Sequence, residues 1–141
     1  MHALARRLSK DRAGTSALEF AIIAPLFFLV LFTLIAYGIY LSVTHSIQQV
    51  AADAARTAVA GLNPTERVTL VHRYLETSRL DYSFLNRAKM QVVVTDDPSN
   101  PEQFTVTITY DSSDLPIWNL FTFALPAEKI ERYATVRVGG L

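Results

Sequence analysis

From Phe20 to Val43 the chain carries no charged residue. No other feature restricts the fold as strongly. As an α-helix at 1.5 Å per residue, this run is about 36 Å long, enough to cross a hydrocarbon core of about 30 Å. Only Thr33, Gly38, Ser42 and Pro25 interrupt it. A cleavable secretory signal has an apolar core of about 7–15 residues and a small-residue cleavage site. This run is longer, and the following Ser42-Val43-Thr44-His45-Ser46 makes a poor site. The pair Arg6-Arg7 hints at twin-arginine export, but a long run entered through an acid fits that route badly.

Charge gives the run a direction. Arg6, Arg7, Lys10 and Arg12 precede it against Asp11 and, at its very entrance, Glu19; beyond it the basic residues are outnumbered by acids. The positive-inside rule keeps such an N-terminus in the cytoplasm and sends the remainder across. The formal net charge is zero, and no basic stripe suited to nucleic acid is visible. With no cysteine, disulfides and thiol chemistry are excluded.

Helical character continues past the apolar run. In SIQQVAADAARTAVAGL, the residues Ile47, Val50, Ala51, Ala54 and Ala58, with Val59 at the margin, recur at helical spacing. Asp53 and Arg56 are three apart and can pair. One helix from about Thr15 to Ala60 is expected, lipid-facing in its first half and amphipathic in its second. Gly61 then suits a stop. Asn63, Pro64 and Glu66 make a helix start with capping-box character, so a second helix should run from Pro64 to about Arg79. Its buried face should hold Val68, Val71, Tyr74 and Leu75.

The period then changes to two. Lys89–Thr95 places Met90, Val92 and Val94 on one face. Phe104–Tyr110 alternates Phe104, Val106, Ile108 and Tyr110 with threonines. Arg132–Val138 turns Ala134, Val136 and Val138 inward. The link Asp96–Gln103 reads as a wide hairpin loop. Three antiparallel strands with one apolar face need a helical cover. The expected class is therefore α+β: a long transmembrane and amphipathic helix, a second helix, and a small antiparallel sheet of about three strands. The apolar connection Leu115–Pro126 should fold over the sheet with Ile117, Trp118, Phe121 and Phe123. The alternative is that it docks on a partner or the membrane interface, where Trp is common.

Candidate chemistry is sparse. His2, His45 and His72 lack ligand spacing, and no metal or cofactor is expected. Asp96-Asp97 and Asp111/Asp114 read as turn formers. No nucleophile elbow or phosphate loop occurs, and no motif points to an enzyme.

One constellation remains. Gly14 follows the basic tail, and Glu19 stands at the entrance to the apolar run. A carboxylate there is expensive and needs a reason. Gly14 has no side chain and lets a protease approach its carbonyl. A cut after Gly14 creates an ammonium on Thr15, and Glu19 becomes the fifth residue, one helical turn away. Basic leader, glycine, an acid at the fifth position and a long apolar helix together resemble the class III signal peptide of type IV pilins. The sequence EFAIIAPLFFLVLFTLIAYG and the alanine-rich Gln48–Gly61 resemble, more narrowly, the TadE/TadG-like pseudopilins of tight-adherence (Flp) pilus systems. Glu19-Phe20 and Pro25 occupy that family's motif positions, with Phe in place of the commoner Tyr. Thr15 stands where type IV pilins usually carry Phe.

The resemblance implies a leader over residues 1–14 cut at Gly14-Thr15, a membrane helix over 15–43 and an extracytoplasmic α+β domain over 44–141. It implies a bacterial inner-membrane location with a cytoplasmic N-terminus. Implied partners are prepilin peptidase, other pseudopilins and the major pilin, the inner-membrane platform of the pilus machinery, and the lipid bilayer; nucleic acid is not among them. Two rivals stand beside this reading: an uncleaved single-pass accessory protein that binds an envelope partner, and a secreted binding domain released by ordinary signal cleavage.

Overall fold

A computed structural model describes residues 12–78, 85–120 and 126–138, with Arg12 and Ala13 as backbone only. Expectations for Arg6, Arg7, Lys10, Phe121 and Phe123 lie outside the described residues. Helix α1 spans Arg12–Ala58 and α2 spans Pro64–Thr77. A 3-10 turn, η1, covers Arg87–Lys89. The strands are β1 (Met90–Asp97), β2 (Asn100–Asp111) and β3 (Lys129–Arg137), with a second 3-10 turn, η2 (Pro116–Asn119), between β2 and β3. The sheet order is β1-β2-β3, antiparallel throughout. The class is α+β, as expected.

Helix α1 has two lives. From Gly14 to Ile35 its residues are exposed, except for half-buried Ala24 and Thr33. At Ala36 a buried stripe begins and continues through Val43, Ile47, Val50, Ala51, Ala54 and Ala58. These are helical intervals, so one face lies on the sheet. Alanine at 51, 54, 55 and 58 leaves room for close approach, and all four are fully buried. Val59 departs from expectation: the helix ends at Ala58, and Val59 lies exposed in the turn. Pro25 sits inside α1 and, lacking an N–H, leaves the Ala21 carbonyl without its helical donor.

Phe104, Val106, Ile108 and Tyr110 of β2 form the centre of the core, joined by Ile130 of β3. Met90, Val92 and Val94 pack around them from β1. The opposite sheet face carries threonines, including a Thr105–Thr135 hydroxyl pair at 2.8 Å. The Gln48 amide donates to the Tyr133 carbonyl at 3.0 Å, tying α1 to β3.

Helix α2 begins as its sequence demands. The Asn63 side chain accepts from the Glu66 N–H at 2.9 Å, and Pro64 occupies the first turn. The Glu66 carboxylate reaches back one residue further than in a standard capping box, to the Leu62 N–H at 2.9 Å. Two details of this helix differ from expectation. It ends at Thr77 rather than near Arg79. Val68 is exposed, and Arg67 is buried in the stripe with Val71, Tyr74 and Leu75. The stripe follows positions 67, 71, 74 and 75, and Val68 lies about 100° off it.

The hairpin is tighter than expected. Asp97 pairs with Asn100, so the turn itself is only Pro98-Ser99. The Asp97 carboxylate accepts from the Ser99 N–H at 2.8 Å, and the Asn100 side chain accepts from the Glu102 N–H at 3.1 Å. The register shifts between Asp96, opposite Phe104, and Asp97. Pro101 cannot donate to a ladder, so the residues read as a wide loop form a bulge on β2 instead. Of the apolar connection, Leu115 and Ile117 are buried and Trp118 is half-buried.

Candidate functional site: the N-terminal half of α1

The structure puts Gly14, Thr15, Glu19, Phe20 and Pro25 on one continuous helix, all exposed. Thr15 and Glu19 are four residues apart, so their side chains share a face about 6 Å apart along the axis. Phe20 is 69% exposed, and the apolar residues that follow stay exposed on every side of the helix. Such a surface is not built for water. Among the described residues one helix is long and apolar enough to cross a membrane, and it is this one.

The glycines separate by role. At Gly61 an added Cβ would fall 2.8 Å from the Arg67 backbone nitrogen and from its Cγ, so packing demands glycine there. At Gly14 an added Cβ meets nothing within 4 Å, and the same holds at Gly38. Glycine inside a helix costs about 1 kcal/mol relative to alanine. Among the described residues nothing packs against Gly14. Thr33 takes the other option open to a hydroxyl in an apolar helix, donating to the Leu29 carbonyl at 2.7 Å.

The other candidates resolve into structural roles. Asp96 pairs with Arg67 at 2.6 Å, Asp114 with Lys89 at 3.0 Å, and Asp53 with Arg56 at 2.8 Å. Asp111 accepts from the Ser113 N–H at 3.0 Å. The Ser113 backbone and hydroxyl donors, with lesser help from Lys89 and Lys129, hold its carboxyl below the usual range. His45 and His72 are exposed and far apart. His72 lines a cleft of about 530 Å³ between α2 and β1, with Glu76 and Arg87. No group of three potential metal ligands occurs among the described residues.

Sequence reasoning missed Arg67. A charged residue on a helix read as surface, yet it is 7% exposed, and its guanidinium lies 5.0 Å from the centre of the Phe104 ring. The available signal was its place four residues before Val71.

Residues 14–56 match the family model described as TadE-like protein. The matched stretch holds Gly14, Thr15, Glu19, Phe20 and Pro25, and nearly all of the helix. It stops short of α2 and the sheet. No curated protein and no solved structure matches the chain. Over that segment, less than a third of the chain, the sequence is similar to TadE-like proteins, and the matched helix is long and apolar enough to cross a membrane.

Proposed function

We propose that this chain, TadE-like along its membrane helix, is a minor pseudopilin of a tight-adherence pilus or its assembly machinery, cut after Gly14 by a prepilin peptidase. Its role is structural rather than catalytic. The leader stays in the cytoplasm, α1 crosses the inner membrane, and the α+β domain faces the periplasm. Its partners are other pseudopilins, the major pilin and the inner-membrane platform.

One observation carries the reading: Gly14 is a glycine that nothing among the described residues packs against, followed five residues later by an exposed carboxylate on the face of Thr15. Cleavage supplies the missing reason for both. It leaves an ammonium on Thr15, and Glu19 near the new helix start offsets that charge and the N-terminal dipole. In lipid the same carboxylate can receive the amine of a neighbouring subunit. Pro25 weakens the helix six residues further on, giving it a bend point during extraction from the membrane.

Intact-mass measurement of the protein from cells with and without prepilin peptidase tests this. Loss of residues 1–14 only where the peptidase is present is the expected result. An unchanged mass in both strains sinks the processing claim and favours an uncleaved accessory protein. A cut near Ser46 favours a released domain. Glu19→Ala should leave cleavage intact and reduce pilus assembly; normal piliation in that variant removes the packing role.

A further inference from the structure

We infer that the end of the domain nearest the membrane rests on the lipid surface, with Trp118 and Leu120 at the headgroup level, and that the hydrocarbon segment of α1 ends at about Ile35. This rests on α1 crossing a bilayer, as proposed above.

The domain's orientation along α1 follows from its ion pairs and register. Arg67 touches Gly61, just past the end of α1, and pairs with Asp96 beside the β1–β2 turn. That turn therefore lies at the end remote from the membrane. The strands are antiparallel, so their other ends (Met90, Tyr110 and Ile130) face the bilayer. There Ser112 ties to the Glu128 carbonyl, and the Trp118 indole N–H donates to the Ser112 carbonyl, fixing η2 at this edge. Turn η2 also touches α1. Leu120, at its end, is 43% exposed.

The helix shows how deep this edge can go. Burial on α1 begins abruptly at Ala36, which is fully buried. If hydrocarbon extended to Val43, about 12 Å of the domain would lie inside it. That edge carries exposed Asp111, Asp114 and Lys129. Facing lipid, three such charges on one edge would be costly together. The hydrocarbon boundary therefore coincides with the domain's own edge. A half-buried Trp and an exposed Leu at that level match the aromatic belt of membrane proteins. Counting back about 20 residues for a core of about 30 Å reaches Ser16. Glu19 then lies about one turn inside the hydrocarbon, and the Gly14–Thr15 bond lies at the cytoplasmic headgroups. This narrows the 20–43 run to the part that meets acyl chains.

Trp118 is the chain's single tryptophan and so reports its own depth. The full chain is reconstituted into phosphatidylcholine/phosphatidylglycerol vesicles containing lipid brominated either near the headgroup or near the chain end. Lipid brominated near the headgroup should quench Trp118 emission more than lipid brominated at the chain end, as for an interfacial Trp. Leu120→Asp should lower that quenching. In Trp118→Phe/Tyr133→Trp, the reporter moves to the exposed face of β3 and should respond to aqueous iodide, not to bromolipid. If vesicles carry the chain on flotation yet neither bromolipid quenches Trp118, the seating is wrong and the membrane helix stands. Failure to float would overturn both. Stronger quenching by the chain-end bromines would overturn the boundary at Ile35.

Discussion

The Arg67–Asp96 pair makes an asymmetric prediction. The Arg67 side chain is 9% exposed and that of Asp96 34%. The guanidinium donates to Asp96 at 2.6 Å and only distantly, at 3.4 Å, to the Gly61 carbonyl, while it covers Phe104. Asp96→Ala strands a desolvated cation. Breaking a fully buried pair from one side costs about 3–5 kcal/mol, and the partial exposure of Asp96 lowers this to about 2–3 kcal/mol. Arg67→Met leaves a carboxylate that turns to water and keeps the stem over Phe104. It should lose about 1 kcal/mol, the worth of an exposed-side ion pair and a cation–π contact. Arg67→Ala also removes the packed methylenes, at about 0.8 kcal/mol each, for a total of about 3–4 kcal/mol. Urea titration of the full chain in detergent micelles, followed by Trp118 fluorescence, measures all three. With a slope of about 1.5 kcal/mol/M, the midpoint should fall by about 1.5–2 M for Asp96→Ala and by under about 1 M for Arg67→Met. The double variant Arg67→Met/Asp96→Ala should be more stable than Asp96→Ala alone. Equal losses for Arg67→Met and Asp96→Ala would refute the claim that a stranded cation, rather than a lost attraction, sets the cost.

Three further outcomes are expected. Asn63→Ala removes the acceptor for the Glu66 N–H and should cost about 1 kcal/mol in the same titration. Thr44 is buried, and its hydroxyl has no partner among the described residues, so Thr44→Val should gain about 1 kcal/mol; a loss would mean that a water or lipid headgroup serves the hydroxyl. The Asp111 carboxyl titrates lower folded than unfolded, so its contribution is present above the unfolded carboxylate range, near about pH 4, and is lost as pH falls through the lowered folded value. The stability gap between wild type and Asp111→Asn should therefore shrink from pH 6 towards about pH 3, and a gap that widens on acidification would contradict the assigned donors.

Where one rule governed a segment, the sequence was readable. Twenty-four uncharged residues announce a membrane helix, strict alternation announces Phe104–Tyr110, and Asn63-Pro64 announces the start of α2. Misreadings came where two rules competed. Val68 looked buried by hydropathy, but the stripe set by Val71 and Leu75 selects Arg67, whose charge is met by Asp96, 29 residues away on a strand. The span from Asp96 to Gln103 looked like a loop because of its prolines. The Asp97 and Asn100 side chains close a two-residue turn, and Pro101 is absorbed as a bulge. The proposed motif of Gly14, Glu19 and Pro25 could be read at all because its spacing is local to one helix. The level at which the domain meets that helix was not, because Ala36 differs from its apolar neighbours only through what packs on it.

The single helix from Arg12 to Ala58, about 70 Å long, bears on how such a protein takes load. No hinge separates the part in lipid from the part that lines the core. A pull along α1 reaches the sheet as shear, spread at once over Val43, Ile47, Val50, Ala54 and Ala58 rather than peeling one residue after another. An axle keyed along its length to its hub resists in this way. Force applied in the membrane would move the domain whole before unfolding it.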